Sequence, residues 1–122
     1  MYKDESYQVQ GAIFDVYKEM GSGFLAAVYH ECMERELSLR QIPFESRKKL
    51  ELLYKGKPLA SRYVPDLICY GKIIVEIKAV KDIGPEHKAQ LLNYLKATGM
   101  KLGLIANFGT YPKAQILRMA NA

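Results

Sequence analysis

Asp66, Glu76 and Lys78 are the residues whose types and spacing best suit chemistry in this chain. They lie in Val64-Pro65-Asp66-Leu67-Ile68-Cys69-Tyr70-Gly71-Lys72-Ile73-Ile74-Val75-Glu76-Ile77-Lys78, two apolar runs joined by Tyr-Gly-Lys. Side chains two apart on a strand point to the same face, so Glu76 and Lys78 share a face and Ile77 points the other way. If the runs pair as a hairpin, Asp66 approaches that face too. Two carboxylates and an ammonium at one point suit a divalent cation, an activated water and a phosphodiester. The competing reading is an edge strand with a salt-bridged outer face. Glutamate and lysine are poor strand residues, and Pro65-Asp66 stands upstream at hairpin distance, which favours the chemical reading.

Gln90 and Tyr94, four apart on one helix face, could bind a phosphate or orient the acids; the plain alternative is a helix-surface hydrogen bond. Tyr63, Tyr70 and Tyr111 could stack on bases, although such tyrosines are more often half-buried sheet residues. His30 and His87 have no partner at zinc-ligand spacing, and no phosphate loop, dinucleotide glycine fingerprint or serine or cysteine hydrolase motif is present.

The elements that must position these residues follow from periodicity. Val9, Ile13, Val16, Tyr17 and Met20 predict a helix over 7–20, closed by Gly21-Ser22-Gly23. Leu25, Val28, Tyr29, Cys32 and Leu39 predict a second over 24–39, stopped by Ile42-Pro43. Strands are expected over 48–54, 62–69 and 72–80, the last two forming a hairpin about Tyr70-Gly71. Gly84-Pro85 opens a third helix with Leu91, Leu92 and Leu95 inward and Gly99 as its cap. Two strands follow, over 101–106 and 114–119. The order α-α-β-β-β-α-β-β predicts a mixed sheet with helices packed on it, in the α/β (α+β) class.

The 122 residues fit one domain, 1–122. No apolar run approaches a membrane span, and Met-Tyr-Lys-Asp-Glu-Ser lacks the apolar stretch of a signal peptide, so a cytoplasmic protein with no membrane partner is expected. Cys32 and Cys69 read as reduced core thiols. Residues 1–45 carry eight acids and four bases, whereas residues 46–122 carry five acids and fourteen bases. A polyanion such as nucleic acid would explain a basic half that also holds the acids above; a solvated basic surface is the equal alternative.

Pro65-Asp66, Glu76-Ile77-Lys78 and Gln90-x-x-x-Tyr94 together resemble the PD-(D/E)XK nuclease superfamily. More closely, Gly21-Ser22-Gly23-Phe24-Leu25, Tyr29, Tyr54-Lys55-Gly56-Lys57, Ile74 to Val80, Ala89 to Lys96 and Asn107-Phe108-Gly109 are similar to the bacterial GxxExxY proteins of that superfamily. The resemblance implies a restriction-endonuclease-like core and a single nuclease-like domain. Where that family's motif has glutamate, this chain has Ala26. Losing a carboxylate from a site built on charge weakens its hold on a hard cation. The departure implies a naturally weakened or inactive member, or an introduced substitution. His30 lies a full turn away and is a poor magnesium ligand, so it is not expected to replace the acid.

The expected activity is metal-dependent hydrolysis of DNA phosphodiester bonds, as an endo- or exodeoxyribonuclease. Asp66 and Glu76 would bind magnesium or manganese with the Ile77 carbonyl, Lys78 would orient water or stabilise developing charge, and Gln90 and Tyr94 would hold the site or the strand. The rival is a non-catalytic nucleic-acid-binding or assembly module that keeps the nuclease fold. A third reading, a structure-selective endonuclease resembling the archaeal junction resolvases, implies a homodimer.

Overall fold

A computed structural model describes residues 1–121. The chain runs through α1 (Lys3–Met20), α2 (Ala26–Leu39), β1 (Phe44–Ser46), β2 (Leu50–Tyr54), β3 (Lys57–Tyr63), β4 (Leu67–Cys69), β5 (Ile73–Lys78), α3 (Pro85–Thr98), β6 (Leu102–Asn107) and β7 (Gln115–Ala120). Five strands form one sheet in the order β1-β4-β5-β6-β7, and β2 and β3 form a separate two-stranded ribbon. The β5–β6 pair is parallel and the other neighbours are antiparallel. Helix α3 makes the crossover that a parallel pair requires.

The mixed sheet flanked by helices is the architecture the sequence predicts, with two strands more than expected. Strand β1 is three residues long, largely exposed and without alternation, so periodicity does not reveal it. The run over 62–69 is divided: Tyr63 ends the ribbon, and Val64-Pro65 carries the chain into the main sheet before β4 begins. Proline has no N–H for a ladder, which suits it to that crossing. The first helix begins a turn earlier than predicted because tertiary contacts hold its start. The Lys72 ammonium reaches Glu5 at 2.9 Å and lies 4.7 Å from the centre of the Tyr2 ring.

The sheet separates two apolar layers. On one side Val9, Ile13, Tyr29 and Met33 pack against Leu67, Val75, Ile77 and Leu104. On the other, Leu91 and Leu95 of α3 and Leu50 and Leu52 of the ribbon cover Ile74 and Ile105. Cys69 is fully buried and its thiol is pushed up to about 12 by desolvation, while Cys32 is half-buried. Among the described residues no helix is long and apolar enough to cross a membrane.

Two turns set the geometry around the acids. Tyr70 and Gly71 both have positive φ, 57° and 69°, and the Lys72 N–H donates to the Cys69 carbonyl at 3.1 Å, so Tyr70, Gly71 and Lys72 form the loop between the paired residues Cys69 and Ile73. That turn fixes the register Leu67↔Val75, so Asp66 comes next to Glu76. At the other end of β5, buried Asn107 accepts from the Val80 and Gly109 N–H groups at 3.0 Å each and donates to the Val80 carbonyl at 2.9 Å. Gly109 is needed there because a Cβ would stand 2.3 Å from the Val80 carbonyl oxygen.

Candidate active site

The alternation along β5 works as the sequence predicts. Ile73, Val75 and Ile77 enter the α1–α2 layer, and Ile74 the α3 layer, so Glu76 and Lys78 belong to the α3 and ribbon face. Asp66 stands one residue before β4, where the ladder to β5 stops. On the β4 side the Ile77 N–H has no ladder partner, and it donates to Asp66 Oδ2 at 2.8 Å. In return the Asp66 backbone N–H donates to Glu76 Oε1 at 2.9 Å. The two acids are thereby interlocked through the backbone of the strand opening.

The second oxygen of Glu76 is held from the ribbon. The Tyr63 phenol donates to Oε2 at 2.9 Å, and its ring stacks on Tyr94 of α3 with centroids 3.9 Å apart. Burial raises the Glu76 carboxyl above the ordinary range, and the nearby Asp66 charge adds to this; the Asp66 N–H, the Tyr63 hydroxyl and the Lys78 charge oppose it. The Tyr63 phenol is pushed far up, first by burial and then by the Glu76 charge, so it stays an O–H donor.

On its other side Asp66 faces Arg47, whose Nη1 lies 3.9 Å from Oδ1. A cavity of about 90 Å³ opens there, lined by Ala26, Ala27, His30, Arg47, Asp66 and Ile77. Ala26 thus meets Asp66 from the first turn of α2, with a methyl group where the resemblance expects an acid. His30 lines the same cavity, its Nε2 facing Ser46 at 3.3 Å and Glu34 at 3.5 Å, while its buried Nδ1 has no hydrogen-bond partner among the described residues. Larger hollows of about 560 and 620 Å³ lie away from the acids, one beside Met1 and Arg118 and one beside Leu39 and Phe44.

Among the residues the sequence singles out, Asp66, Glu76, Ile77 and Tyr94 come together through direct or stacked contacts. The Lys78 side chain is half-buried beside them and its ammonium makes no hydrogen bond or ion pair among the described residues. Gln90 is exposed on α3 and has no hydrogen bond there either. Sequence reasoning missed three contributors. Tyr63, weighed only as a base stacker or sheet residue, is the donor to Glu76. Arg47 was only one of fourteen bases. Asn107, inside the Asn-Phe-Gly block, fastens the segment after Lys78. The one available signal was that Tyr63 precedes Asp66 by three residues and enters the same run.

A mixed sheet with helices on both faces, whose acids meet where an antiparallel hairpin opens, is a restriction-endonuclease-like core. A family model of the PD-(D/E)XK nuclease superfamily matches residues 3–119, and the chain belongs to that superfamily. No curated protein matches it. Among solved structures, the crystal structure of SSO0001 is similar with a TM-score of 0.60 and 21% identity, over 78% of this chain and 49% of that one. An alkaline exonuclease, LHK-Exo from Laribacter hongkongensis, is similar with a TM-score of 0.52 and 12% identity, over 73% of this chain and 52% of that one. The chain spans about half the length of each, and the likeness is one of fold.

Proposed function

We propose that this chain is a divalent-metal-dependent phosphodiesterase acting on DNA, with Asp66 and Glu76 as metal ligands and the Ile77 carbonyl beside them. The interlock of Asp66 and Glu76 carries the proposal: the Ile77 N–H fixes one carboxylate and the Asp66 N–H the other, on the strand that also bears Lys78. The donor set fits magnesium or manganese, since both side chains offer hard oxygens. Among the described residues no three His, Cys, Asp or Glu side chains gather as a closed metal cage. Two carboxylates suit magnesium, which keeps several waters and shares its shell with substrate phosphate.

When bound, the ion would supply Lewis-acid charge at the phosphoryl oxygen and lower the pKa of a water. The chain's own groups do the positioning. Tyr63 and the Asp66 N–H fix the Glu76 carboxylate, and Tyr94 backs Tyr63. Lys78 orients the attacking water or stabilises charge developing on the phosphoryl group. Gln90 assists from the surface of α3, and the lysines and arginines after residue 45 hold phosphates without reading sequence.

The test is calorimetric titration of manganese into the protein, Asp66→Asn and Glu76→Gln, with plasmid cleavage in magnesium, manganese or chelator. Binding lost in both folded variants, with cleavage that needs the metal, is the expected result. Absence of any Asp66-dependent metal binding would sink the proposal. The second reading, a nucleic-acid-binding module without catalysis, is favoured by Ala26 at the cavity beside Asp66. It predicts duplex binding that falls steeply with salt, with no cleavage even when metal is bound.

A further inference from the structure

Arg47 follows β1 directly; its backbone is hydrogen-bonded while its side chain is largely exposed. Its φ of 53° is in the left-handed region, and its N–H donates to the Asp66 carbonyl at 3.1 Å. The guanidinium, 3.9 Å from Asp66 Oδ1, is beyond hydrogen-bond length, and the side chain is 61% exposed. Arg40 offers a contrast: it reaches Asp15 at 2.5 Å and Glu36 at 2.9 Å, and is 26% exposed. Among the described residues Asp66 is the one acid paired with Arg47. The one carboxylate lining the cavity is therefore faced, without a hydrogen bond, by a largely exposed guanidinium.

A divalent ion on Asp66 would compete directly with this guanidinium, since both are cations drawn to one carboxylate. Once displaced, the guanidinium needs an anion, and its planar fork matches phosphate oxygens. The surroundings point to a strand of nucleic acid. Arg47 begins a run of exposed bases, Lys48, Lys49, Lys55, Lys57 and Arg62, that covers the β2–β3 ribbon and its approach. The segment that leaves β1 at Arg47 returns through the ribbon at Tyr63, which donates to Glu76, so this basic stretch is flanked by residues beside the two acids of the site.

Building on the nuclease reading above, we propose that Arg47 is the phosphate-holding residue of this site. It rests on Asp66 in the metal-free protein and passes to a phosphate oxygen of the nucleic acid when a cation takes Asp66. Arg47 then makes its phosphate contact only in the metal-loaded state, which couples cation binding to grip on the strand.

The experiment joins calcium titration by calorimetry with the salt dependence of binding to a blunt DNA duplex, in EDTA and in calcium. The proteins are the full chain, Arg47→Gln, Arg47→Lys and Asp66→Asn. Arg47→Gln should bind calcium about three- to tenfold more tightly, because a competing cation is gone. In calcium its salt slope should be smaller than that of the unaltered protein by about 1, and in EDTA the two slopes should agree. Arg47→Lys should keep the slope, and Asp66→Asn should show the steeper slope already in EDTA. Arg47→Gln lowering the slope equally in both buffers would make Arg47 an ordinary surface contact and overturn the inference. So would Asp66-dependent calcium binding that ignores Arg47, and that result would leave the nuclease reading standing. Calcium binding that Asp66→Asn does not weaken would overturn both.

Discussion

The Tyr63 hydroxyl donates to Glu76 Oε2 at 2.9 Å, joining the last residue of the ribbon to the acid at the centre of the sheet. On the α3 face Tyr63 is buried and Glu76 half-buried, and Tyr94 lies parallel to the Tyr63 ring. A carboxylate there needs each of its donors, because few waters are available to replace one.

Tyr63→Phe keeps the ring and its stack but removes that donor. Hydrogen bonds to charged groups contribute roughly 1.5–3 kcal/mol, so the variant should lose about that much stability at neutral pH. Urea unfolding measures it. A variant as stable as the parent would show that Glu76 does not depend on the phenol.

Glu76 also gives the metal-free protein a pH signature. Burial raises its folded-state pKa above the ordinary carboxylate value of about 4.3. The folded state therefore favours the protonated form. This contribution is complete below the ordinary value and is lost as pH rises through the raised one. Glu76→Gln removes the titration, so in EDTA its melting temperature should gain on the parent's as pH climbs through that window. A constant offset across pH, whatever its sign, would mean that Glu76 titrates as it does in the unfolded chain.

Ala26→Glu places a carboxylate in the small cavity, facing Asp66 and Arg47. If the cavity side of Asp66 is where metal binds, manganese should bind more tightly. Plasmid cleavage should rise, on the ~10²–10³ scale of a single electrostatic group in an active site. Ala26→Glu with Lys78→Ala should lose that gain in cleavage while keeping the tighter metal. Tight metal without cleavage in Ala26→Glu itself would favour the binding module.

Asn107→Ala strips three hydrogen bonds from the backbone of Val80 and Gly109 in a fully buried place. At about 1–3 kcal/mol for an unsatisfied buried group, the loss should be at least about 2 kcal/mol in urea unfolding. Activity should fall as well, since the segment that follows Lys78 is released. Unchanged stability would mean that water or Gln115 takes over those partners.

The sequence by itself determined the helices, the Tyr70-Gly71 hairpin, the α3 caps and the shared face of Glu76 and Lys78. These follow from periods of 3.6 and 2 and from local turn chemistry, which act over a few residues. It also pointed Asp66 toward the Glu76 face if the two runs pair; the observed register, with Cys69 opposite Ile73 across the loop Tyr70-Gly71-Lys72, sets Asp66 beside Glu76. Tertiary structure alone decided the rest. Strand β1 exists because β4 offers it an edge, not because of its own pattern. Arg47 reaches Asp66 because β1 pairs with β4, Ser46 opposite Leu67, and Tyr63 reaches Glu76 because the β2–β3 ribbon leaves the sheet and returns there. Gln90 and Tyr94 share a helix face, yet only Tyr94 meets a partner, since the Tyr63 ring stands at one level of α3 and not a turn earlier. Such contacts between residues distant in sequence depend on how elements pack, which a one-dimensional pattern does not encode.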